Sequence, residues 1–409
     1  MRLKGSPYAW VSFAMIVGVM GTALISPLYA LYKETWHLQT SDISFIYVIY
    51  MAGALSGLLF LGRLPDRLGF LPTMKSGLWF ILVGTLLTMF SKDVTSLSIG
   101  RFVVGLASSM VTTSSTAGLA KLSPSGNMQR ASMMTGFLMA LGFGLGPLVG
   151  GFFGQWVPNP LMSTYVPTVL LGILAVTALY TVRLPRKAVA STGERLTLRS
   201  TLPKLTWPGS EQRGAFMLTC CLPFLGFGVF GLYASMAPLF LKLLIPWDGP
   251  AVSGTAIAMI LFLSATVQIL AVRLPTQYCG AMGLAGMALS NGLLMANLWL
   301  NSAVLFVLGV LFTSVSHGMA MLAGMSMLNR LTSPSNRSGL FSTYLVTGYI
   351  GTMVPIMGIG WIADMWGMNA AVSTFCVFVV VTGFAVAVTF YRHPQTRAKD
   401  TDSSPPDTH

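Results

Sequence analysis

Two side chains that can carry a positive charge lie inside long apolar stretches of the sequence, Arg101 and His317. A guanidinium within a membrane span costs roughly 2.5–3.5 kcal/mol on insertion scales unless it is paired or reaches the interface. On a helix, Arg101 shares a face with Ser108 and Thr112, and such a polar stripe suggests the wall of a cavity that holds water or a ligand. The alternative is a structural arginine that donates to backbone carbonyls.

His317 lies on one helical face with Thr313 in another apolar stretch. Imidazole titrates at about pH 6.5, so this side chain can bind and release a proton at physiological pH. The alternative is a neutral histidine that is hydrogen-bonded in the core.

The acidic residues leave the partner of Arg101 open. None of the eleven lies at the middle of an apolar stretch. By depth, Glu34 is the best available partner for Arg101 and a second candidate for the proton site, and Asp42 comes next. If neither carboxylate reaches Arg101, the guanidinium is free to meet an anionic substrate.

A third group of side chains can line a pocket for an organic molecule. Aromatic side chains supply large apolar faces, although most of them pack against lipid or core. The pocket candidates are Tyr29, Tyr47, Tyr50, Phe227, Tyr233 and Tyr344, together with the amide of Gln268.

The composition identifies the elements that must position these residues. Of 409 residues, 54% are hydrophobic and 9% are charged, and the mean hydropathy is +0.72. Soluble domains carry roughly 25% charged residues, so a soluble enzyme, a disordered protein and a disulfide scaffold are excluded. Continuous rather than alternating apolar runs exclude an outer-membrane barrel. Because a span needs about 20 apolar residues, the sequence predicts an all-α polytopic membrane protein with twelve spans, at about 8–32, 43–62, 73–91, 95–119, 131–154, 161–182, 214–241, 251–272, 277–299, 302–328, 338–362 and 368–391.

The basic excess indicates how the spans are oriented. The chain has 24 Lys and Arg against 11 Asp and Glu, a net charge of +13. With a cytoplasmic N-terminus, 20 of the 24 basic residues fall on the cytoplasmic side and three on the other, in agreement with the positive-inside rule. We therefore predict a multi-pass protein of a bacterial inner membrane with both termini in the cytoplasm, and no nucleic-acid partner. The four cysteines have no metal-ligand spacing, and we expect neither a metal nor a cofactor.

One long polar stretch divides the chain into two similar parts. It predicts an N-terminal six-helix half at 1–182, a cytoplasmic linker at 183–213, a C-terminal six-helix half at 214–391 and a polar, disordered tail at 392–409. Similar residues recur in the same order at a shift of about 204–211 positions, for example Pro27-Leu28 and Pro238-Leu239. Parallel repeats with a binding site between them are a known plan of transporters.

Two further patterns concern helix packing and helix ends. Gly142, Gly146 and Gly150 in span five share one face and allow another backbone to approach closely, while Pro147 permits a bend. Two roles of this face are open at this point: ordinary tight packing and a seal between the two halves. After span two, Asp66 can cap a helix and pair with guanidinium groups, either as a gating latch or as part of a topology signal.

Taken together, three patterns resemble the major facilitator superfamily over essentially the whole chain. They are the loop Gly62-Arg63-Leu64-Pro65-Asp66-Arg67-Leu68-Gly69, Arg101 with Gly105 in span four, and the run Gly142-Phe143-Gly144-Leu145-Gly146-Pro147-Leu148-Val149-Gly150-Gly151. The last is similar to the motif of twelve-span drug/proton antiporters. The loop departs from the family at Phe70-Leu71, where basic residues usually stand. The resemblance implies two pseudo-symmetric six-helix bundles, a gating role for Gly62, Asp66, Arg67 and Gly69, and a packing role for Gly142, Gly146, Pro147, Gly150 and Gly151.

The leading hypothesis is a secondary transporter that exports small organic molecules by alternating access in exchange for protons. The alternative is an uncoupled facilitator or exchanger of organic anions that uses Arg101 as the counter-charge of its substrate. We expect no enzyme, because the sequence offers neither a carboxylate pair nor a histidine cluster. The expected partners are a small-molecule substrate, protons and the lipid bilayer, and the expected state is a monomer.

Overall fold

The computed structural model describes residues 6–123, 128–182, 205–247, 249–333 and 336–397, without the side chains of 128–133 and 242. Within these ranges every regular element is helical, as predicted. Most of the predicted linker, Asp248 and the end of the predicted tail lie outside them. Twelve helical segments are long and apolar enough to cross a membrane: α1 Pro7–Thr35, α2 Thr40–Leu61, α3 Phe70–Met89, α4 Val94–Leu122, α5 Met134–Trp156, α6 Pro160–Thr181, α7 Ser210–Phe240, α8 Pro250–Arg273, α9 Thr276–Leu300, α10 Ala303–Leu331, α11 Arg337–Trp366 and α12 Met368–Arg392.

Several helices begin before the predicted spans because polar residues cap them. Ser6 Oγ accepts from Ala9 N at 3.2 Å at the start of α1. Asp93 Oδ1 accepts from Ser96 N at 2.8 Å at the start of α4. Such caps satisfy backbone N–H groups that have no acceptor within the helix. The apolar windows locate each span, and the caps set its first residue.

Two helices are interrupted at the prolines that the repeat pairs with each other. In α1 the α-helix Pro7–Ala23 gives way to a 3₁₀ turn at Ser26–Leu28, which contains Pro27. In α7 a π-helical turn at Leu232–Met236 precedes Pro238. Proline lacks the N–H of a helical hydrogen bond and its ring crowds the preceding turn, which favours a local change of helical geometry.

The beginning of α7 and the end of α12 meet at one end of the bundle. A Cβ on Gly214 would lie 3.3 Å from His393 Nε2, and Gln395 Nε2 donates to Glu211 O at 3.1 Å. We call this end the linker face and the opposite end the far face. The start of the predicted tail is ordered rather than extended, because Pro394–Arg397 forms a helical turn that is held by a hydrogen bond from Thr396 Oγ1 to Phe390 O at 2.6 Å.

The twelve helices form two bundles whose contacts repeat, which confirms the predicted fold class. In the first bundle α1 packs on α5 and α2 on α4, and in the second α7 packs on α11 and α8 on α10. The bundles meet through two further pairs, α5 with α8 and α2 with α11. Large apolar side chains such as Leu170, Leu270 and Val304 lie exposed on the outside of the bundle, as expected of a lipid-facing surface.

The predicted glycine face of α5 packs inside the first bundle. A Cβ on Gly142 would lie 2.9 Å from Ile16 O, and one on Gly146 would lie 2.5 Å from Met20 O. One turn later, a Cβ on Gly150 would overlap Leu24 O. The spacing of four residues is the same on both helices, so α1 and α5 run side by side with their backbones in contact.

A different face of α5 meets the second bundle. A Cβ on Gly151 would lie 2.6 Å from Pro250 O, and a Cβ on Gly254 would overlap Pro147 O. Of the five residues predicted for packing, Pro147 and Gly151 therefore lie between the bundles, and Gly142, Gly146 and Gly150 do not.

Close packing predicts that Gly146→Ala destabilises the protein. The added methyl group meets a backbone carbonyl that cannot rotate away, and overpacking of this kind costs about 1–3 kcal/mol. Gly358→Ala is the matched control, because a Cβ at Gly358 would meet nothing within 4 Å. We expect a lower Tm for Gly146→Ala in detergent, followed by tryptophan fluorescence, and an unchanged or higher Tm for Gly358→Ala. Equal Tm values for the two variants would contradict the packing described for α1 and α5.

Candidate functional site

Arg101 is held where α2 and α4 touch. A Cβ on Gly105 in α4 would overlap Tyr50 O, and a Cβ on Gly53 in α2 would overlap Phe102 O. This approach places the Tyr50 ring 4.3 Å from Arg101 Cζ, which is the geometry of a cation–π contact. Arg101 is only 3% exposed. The charge therefore lies in the interior of the bundle, as its position in the sequence predicts.

The hydrogen bond of Arg101 goes to a helix end. Arg101 Nη2 donates to Thr22 O at 3.0 Å, and Thr22 lies in the last turn before the break in α1. Carbonyl oxygens in the last turn of a helix have no N–H donor within that helix, so a buried guanidinium is a favourable donor for them. Arg101 Nε has no hydrogen-bond partner among the described protein atoms.

The predicted acidic partners lie elsewhere. Among the described residues, the recorded contacts of Arg101 include no carboxylate. Glu34 lines a cavity at the far face, and Asp42 Oδ2 accepts from Gln39 N at 2.9 Å. The expected pairing of Arg101 with Glu34 or Asp42 is therefore not among these contacts: Glu34 is exposed at the far face, and Asp42 caps the start of α2.

Tyrosines surround Arg101 and extend across the boundary between the bundles. Tyr29 is fully buried and lies close to Arg101. Tyr47 faces Thr352 of α11, and Tyr50 lies near Tyr349 of the same helix. The hydroxyls of Tyr29, Tyr47 and Thr352 have no hydrogen-bond partner among the described protein atoms. Buried polar groups of this kind are usually satisfied by water or by a ligand, so this is a polar site in an apolar bundle.

The rest of the predicted stripe on α4 bonds to its own helix. Ser108 Oγ donates to Gly105 O at 2.7 Å, and Thr112 Oγ1 donates to Ser109 O at 3.2 Å. Ser109, which the sequence did not single out, donates to Ala54 O in α2 at 2.6 Å. Ser108 and Thr112 therefore stay bonded to α4, and the bond that joins α4 to α2 is made by Ser109, outside the predicted stripe.

His317 lies in the second bundle, where α8 and α10 touch. A Cβ on Gly318 would lie 2.5 Å from Ser264 O, and this contact brings Ser264 Oγ to 2.8 Å from His317 Nδ1. His317 is 8% exposed, and the ring of Phe230 in α7 lies 6.0 Å away. Gln268 Nε2 reaches Ser264 Oγ at 3.5 Å, the outer limit of a hydrogen bond. Ser264 was missed in the sequence, although it shares a helical face with Gln268.

The remaining predicted pocket residues divide into two groups. Phe227 packs edge-on against Tyr349 at 6.0 Å between ring centroids, so it belongs to the set that spans both bundles. Tyr233 lies beside Thr313 of α10, and the hydroxyl of Tyr344 packs against Gly324 of the same helix. A row of contacts thus runs from Arg101 through Tyr50 and Tyr349 to Phe227. Phe230, one turn from Phe227, continues this row to His317.

The predicted gating loop is compact. Gly62 ends a π-helical turn at Gly57–Leu61, and Leu64–Leu68 forms a short helix with Asp66 in its first turn. Gly69 has φ +87°, a conformation that favours glycine. Asp66 is exposed and Arg67 is partly buried. A contact between the bundles is made here by Arg63, whose Nη2 donates to Ser338 Oγ at 2.9 Å.

The duplication does not extend to the charges. Helices α4 and α10 both have 29 residues, and Val310 is the eighth residue of α10 where Arg101 is the eighth of α4. At a shift of 204 residues, within the range at which the sequence repeats, the residue opposite Arg101 is Leu305. With either pairing the second bundle has an apolar residue there, so the fold itself does not require the arginine.

Comparisons with known proteins agree with this architecture. The Multidrug efflux protein YfmO of Bacillus subtilis is 28% identical over 145 residues, which cover 36% of each chain. The Quinolone resistance protein NorA of Staphylococcus aureus is 25% identical over 196 residues, 48% of this chain and 50% of that protein. The matches thus span between about a third and a half of the length of these relatives. The crystal structure of a D-xylose-proton symporter superimposes with a TM-score of 0.74 at 14% identity, over 96% of this chain and 98% of that one.

The family match extends further along the sequence. A family model described as Major Facilitator Superfamily matches residues 11–278, which include Arg101, the predicted gating loop and the glycine faces of α5. The chain belongs to the Major Facilitator Superfamily.

Proposed function

We propose that the protein exports small organic molecules by alternating access in exchange for protons. The supporting observation is that Arg101 and His317 lie in different bundles and are linked by aromatic side chains that meet across α2 and α11. A site shared by two bundles opens to one face or the other when the bundles rock. The efflux activities named for YfmO and NorA favour export.

His317 is the proposed proton carrier. Its Nδ1 shares a hydrogen bond with the hydroxyl of Ser264, and a serine hydroxyl can donate to the neutral ring or accept from the protonated ring. Ser264 therefore orients His317 in both states. Protonation adds a second positive charge to the set of residues that contains Arg101, so it disfavours a cationic substrate by direct repulsion. Glu34, at the far face, is the second candidate for this role.

The membrane arrangement and the gates are part of the same proposal. The linker face, which carries most of the basic residues that the structure describes, lies in the cytoplasm with both termini. The protein resides in the inner membrane of a bacterium as a monomer. The boundaries 1–182, 183–213, 214–391 and 392–409 separate the two moving halves, the linker and the tail. Asp66 and Arg67 hold the linker face shut, with Gly62 and Gly69 shaping their loop. The protein acts as a transporter and not as an enzyme.

A second candidate is a facilitator or exchanger of organic anions. The supporting observation is Arg101 itself, which has no carboxylate among its recorded contacts in the described chain and a buried Nε without a partner. A guanidinium can bind a carboxylate through two parallel hydrogen bonds, and the Tyr50 ring would hold it in place. In this case transport needs no proton.

Proton coupling through His317 predicts that His317→Gln loses the exchange. In everted vesicles with an imposed proton gradient, we expect lipophilic cations to collapse the gradient in wild type about tenfold faster than in His317→Gln, a difference of about 1.4 kcal/mol. His393→Gln is the matched control, because His393 lies at the linker face outside the helices. If His317→Gln responds like wild type, His317 is not the proton site, and Glu34 is then tested in the same assay.

The anion candidate makes a separate prediction about Arg101. Arg101→Gln should weaken transport of an aromatic carboxylate by about tenfold or more, the usual effect of losing a charged hydrogen bond. Arg101→Lys should fall between Arg101→Gln and wild type, because it keeps the charge but not the planar fork. Arg273→Gln, at an exposed residue, is the control. Carboxylate flux without gradient collapse would favour this candidate, and equal flux in Arg101→Gln and wild type would exclude it.

A further inference from the structure

Two pairs of helix ends are joined across the bundles at the far face. At the first, Asp364 at the end of α11 accepts two backbone hydrogen bonds from the start of α2, from Thr40 N to Oδ1 at 2.7 Å and from Ser41 N to Oδ2 at 2.9 Å. At the second, Gln155 at the end of α5 accepts from Ala251 N at the start of α8 at 3.0 Å. We call these contacts the Asp364 latch and the Gln155 latch.

The two latches are built in the same way. A glycine lies one turn before each capping residue and lets the other helix approach. Gly151 precedes Gln155 and meets the backbone of Pro250 and Ala251, and Gly360 precedes Asp364 and meets Ser41. Because α5 and α11 hold the same place in the two bundles, the duplicated fold has produced one latch at each of its two seams.

The chemistry of each cap matches the helix that it meets. Helix α8 begins with Pro250, which has no N–H, so Ala251 supplies one donor and one amide oxygen is sufficient. Helix α2 begins with Thr40 and Ser41, which supply two donors, and the carboxylate supplies two oxygens. The negative charge of the carboxylate is also attracted to the positive end of the helix dipole, whereas a neutral amide carries no such charge. The Asp364 latch is therefore the stronger of the two.

A cavity lies behind the Asp364 latch. It has a volume of about 570 Å³ and is lined by Lys33, Glu34 and Thr40 of the first bundle and by Leu239 and Ala363 of the second. Lys33 Nζ donates to Thr40 Oγ1 at 2.6 Å, so α1 is tied to the same helix end.

We propose that the Asp364 and Gln155 latches keep the far gate closed, with the carboxylate contributing more than the amide. Both contacts join the bundles, so both must break before the bundles part at this face. The proposal rests on the alternating access described above. Under this proposal Asp364 and Gln155, which lie outside the central site, set the equilibrium between the closed and the open state of the far face.

Ser44 reports the opening. It lies in α2 one turn below the latch, is fully buried against Gly360 and has no hydrogen-bond partner for its hydroxyl among the described protein atoms. Ser44→Cys, in a background without the four native cysteines, is labelled with a water-soluble maleimide in lipid nanodiscs, where both faces are accessible. We expect Asp364→Ala to raise the labelling rate by about fivefold to tenfold, and Gln155→Ala by about twofold to threefold.

Asp93→Ala is the matched control. Asp93 is also a carboxylate that caps a helix at the far face, but its bond to Ser96 N stays within one bundle, so this variant should label at the parent rate. A parent rate in Asp364→Ala, or the same increase in all three variants, would overturn the proposal. If Asp364→Ala does not fold, Asp364→Asn replaces it, and a rate equal to the parent's overturns the proposal as well. The assay needs neither substrate nor proton, so its failure would leave the transport proposal standing.

Discussion

Direct contact between helix backbones is the constraint on which the rest of this structure depends. In a bilayer the hydrophobic effect does not draw one helix to another, so close packing and interhelical hydrogen bonds must hold the bundle together. Glycine supplies the close approach where α1 meets α5 through Gly146, and where α8 meets α10 through Gly318. Helix α5 is the central element, because its successive residues Gly150 and Gly151 face different bundles. In the proposed alternating access, movement of the bundles would release the Gly151 face and keep the Gly150 face.

The same contacts locate the charges. Arg101 is buried because α2 and α4 touch at Gly105, and this contact lays Tyr50 across the guanidinium. His317 meets Ser264 because the neighbouring Gly318 lets α8 approach. Each bundle thus uses one glycine contact to position one side chain that can carry a positive charge. An uncompensated charge is costly in an apolar interior, so the proposed protonation of His317 would make the site discriminate between substrates of different charge.

How much of the structure could be predicted from the sequence depends on how far apart in the chain the interacting residues lie. Apolar periodicity and length are local, so the twelve spans and their order were predicted. Some first residues were placed less well, because α2 begins at Thr40 and not at 43, and α3 begins at Phe70 and not at 73. The isolated charge of Arg101 was visible because it interrupts an apolar stretch. Its acceptor, Thr22 O, was not, because a free carbonyl arises only where α1 breaks.

Contacts between helices that lie far apart in the sequence were the hardest to predict. Ser264, Arg63 and Asp364 are ordinary polar residues in the sequence, and only the packing of distant helices gives each of them its partner. The glycine run of α5 was recognised as a packing surface, but its two faces could be assigned only once the neighbours α1 and α8 were known.

The central claim is that two rigid bundles expose one shared site alternately to either face, driven by protonation. Spin labels are placed at Lys92 and Leu300, which are exposed at the far face in different bundles. Pulsed electron paramagnetic resonance then measures the distance between the two labels, which reports the separation of the bundles at the far face. A second pair at Leu68 and Leu274 reports the linker face. The account predicts that lowering the pH from about 8 to 5 changes the two separations in opposite directions, and that His317→Gln abolishes both changes. Separations that stay constant, or that change in the same direction, would contradict it.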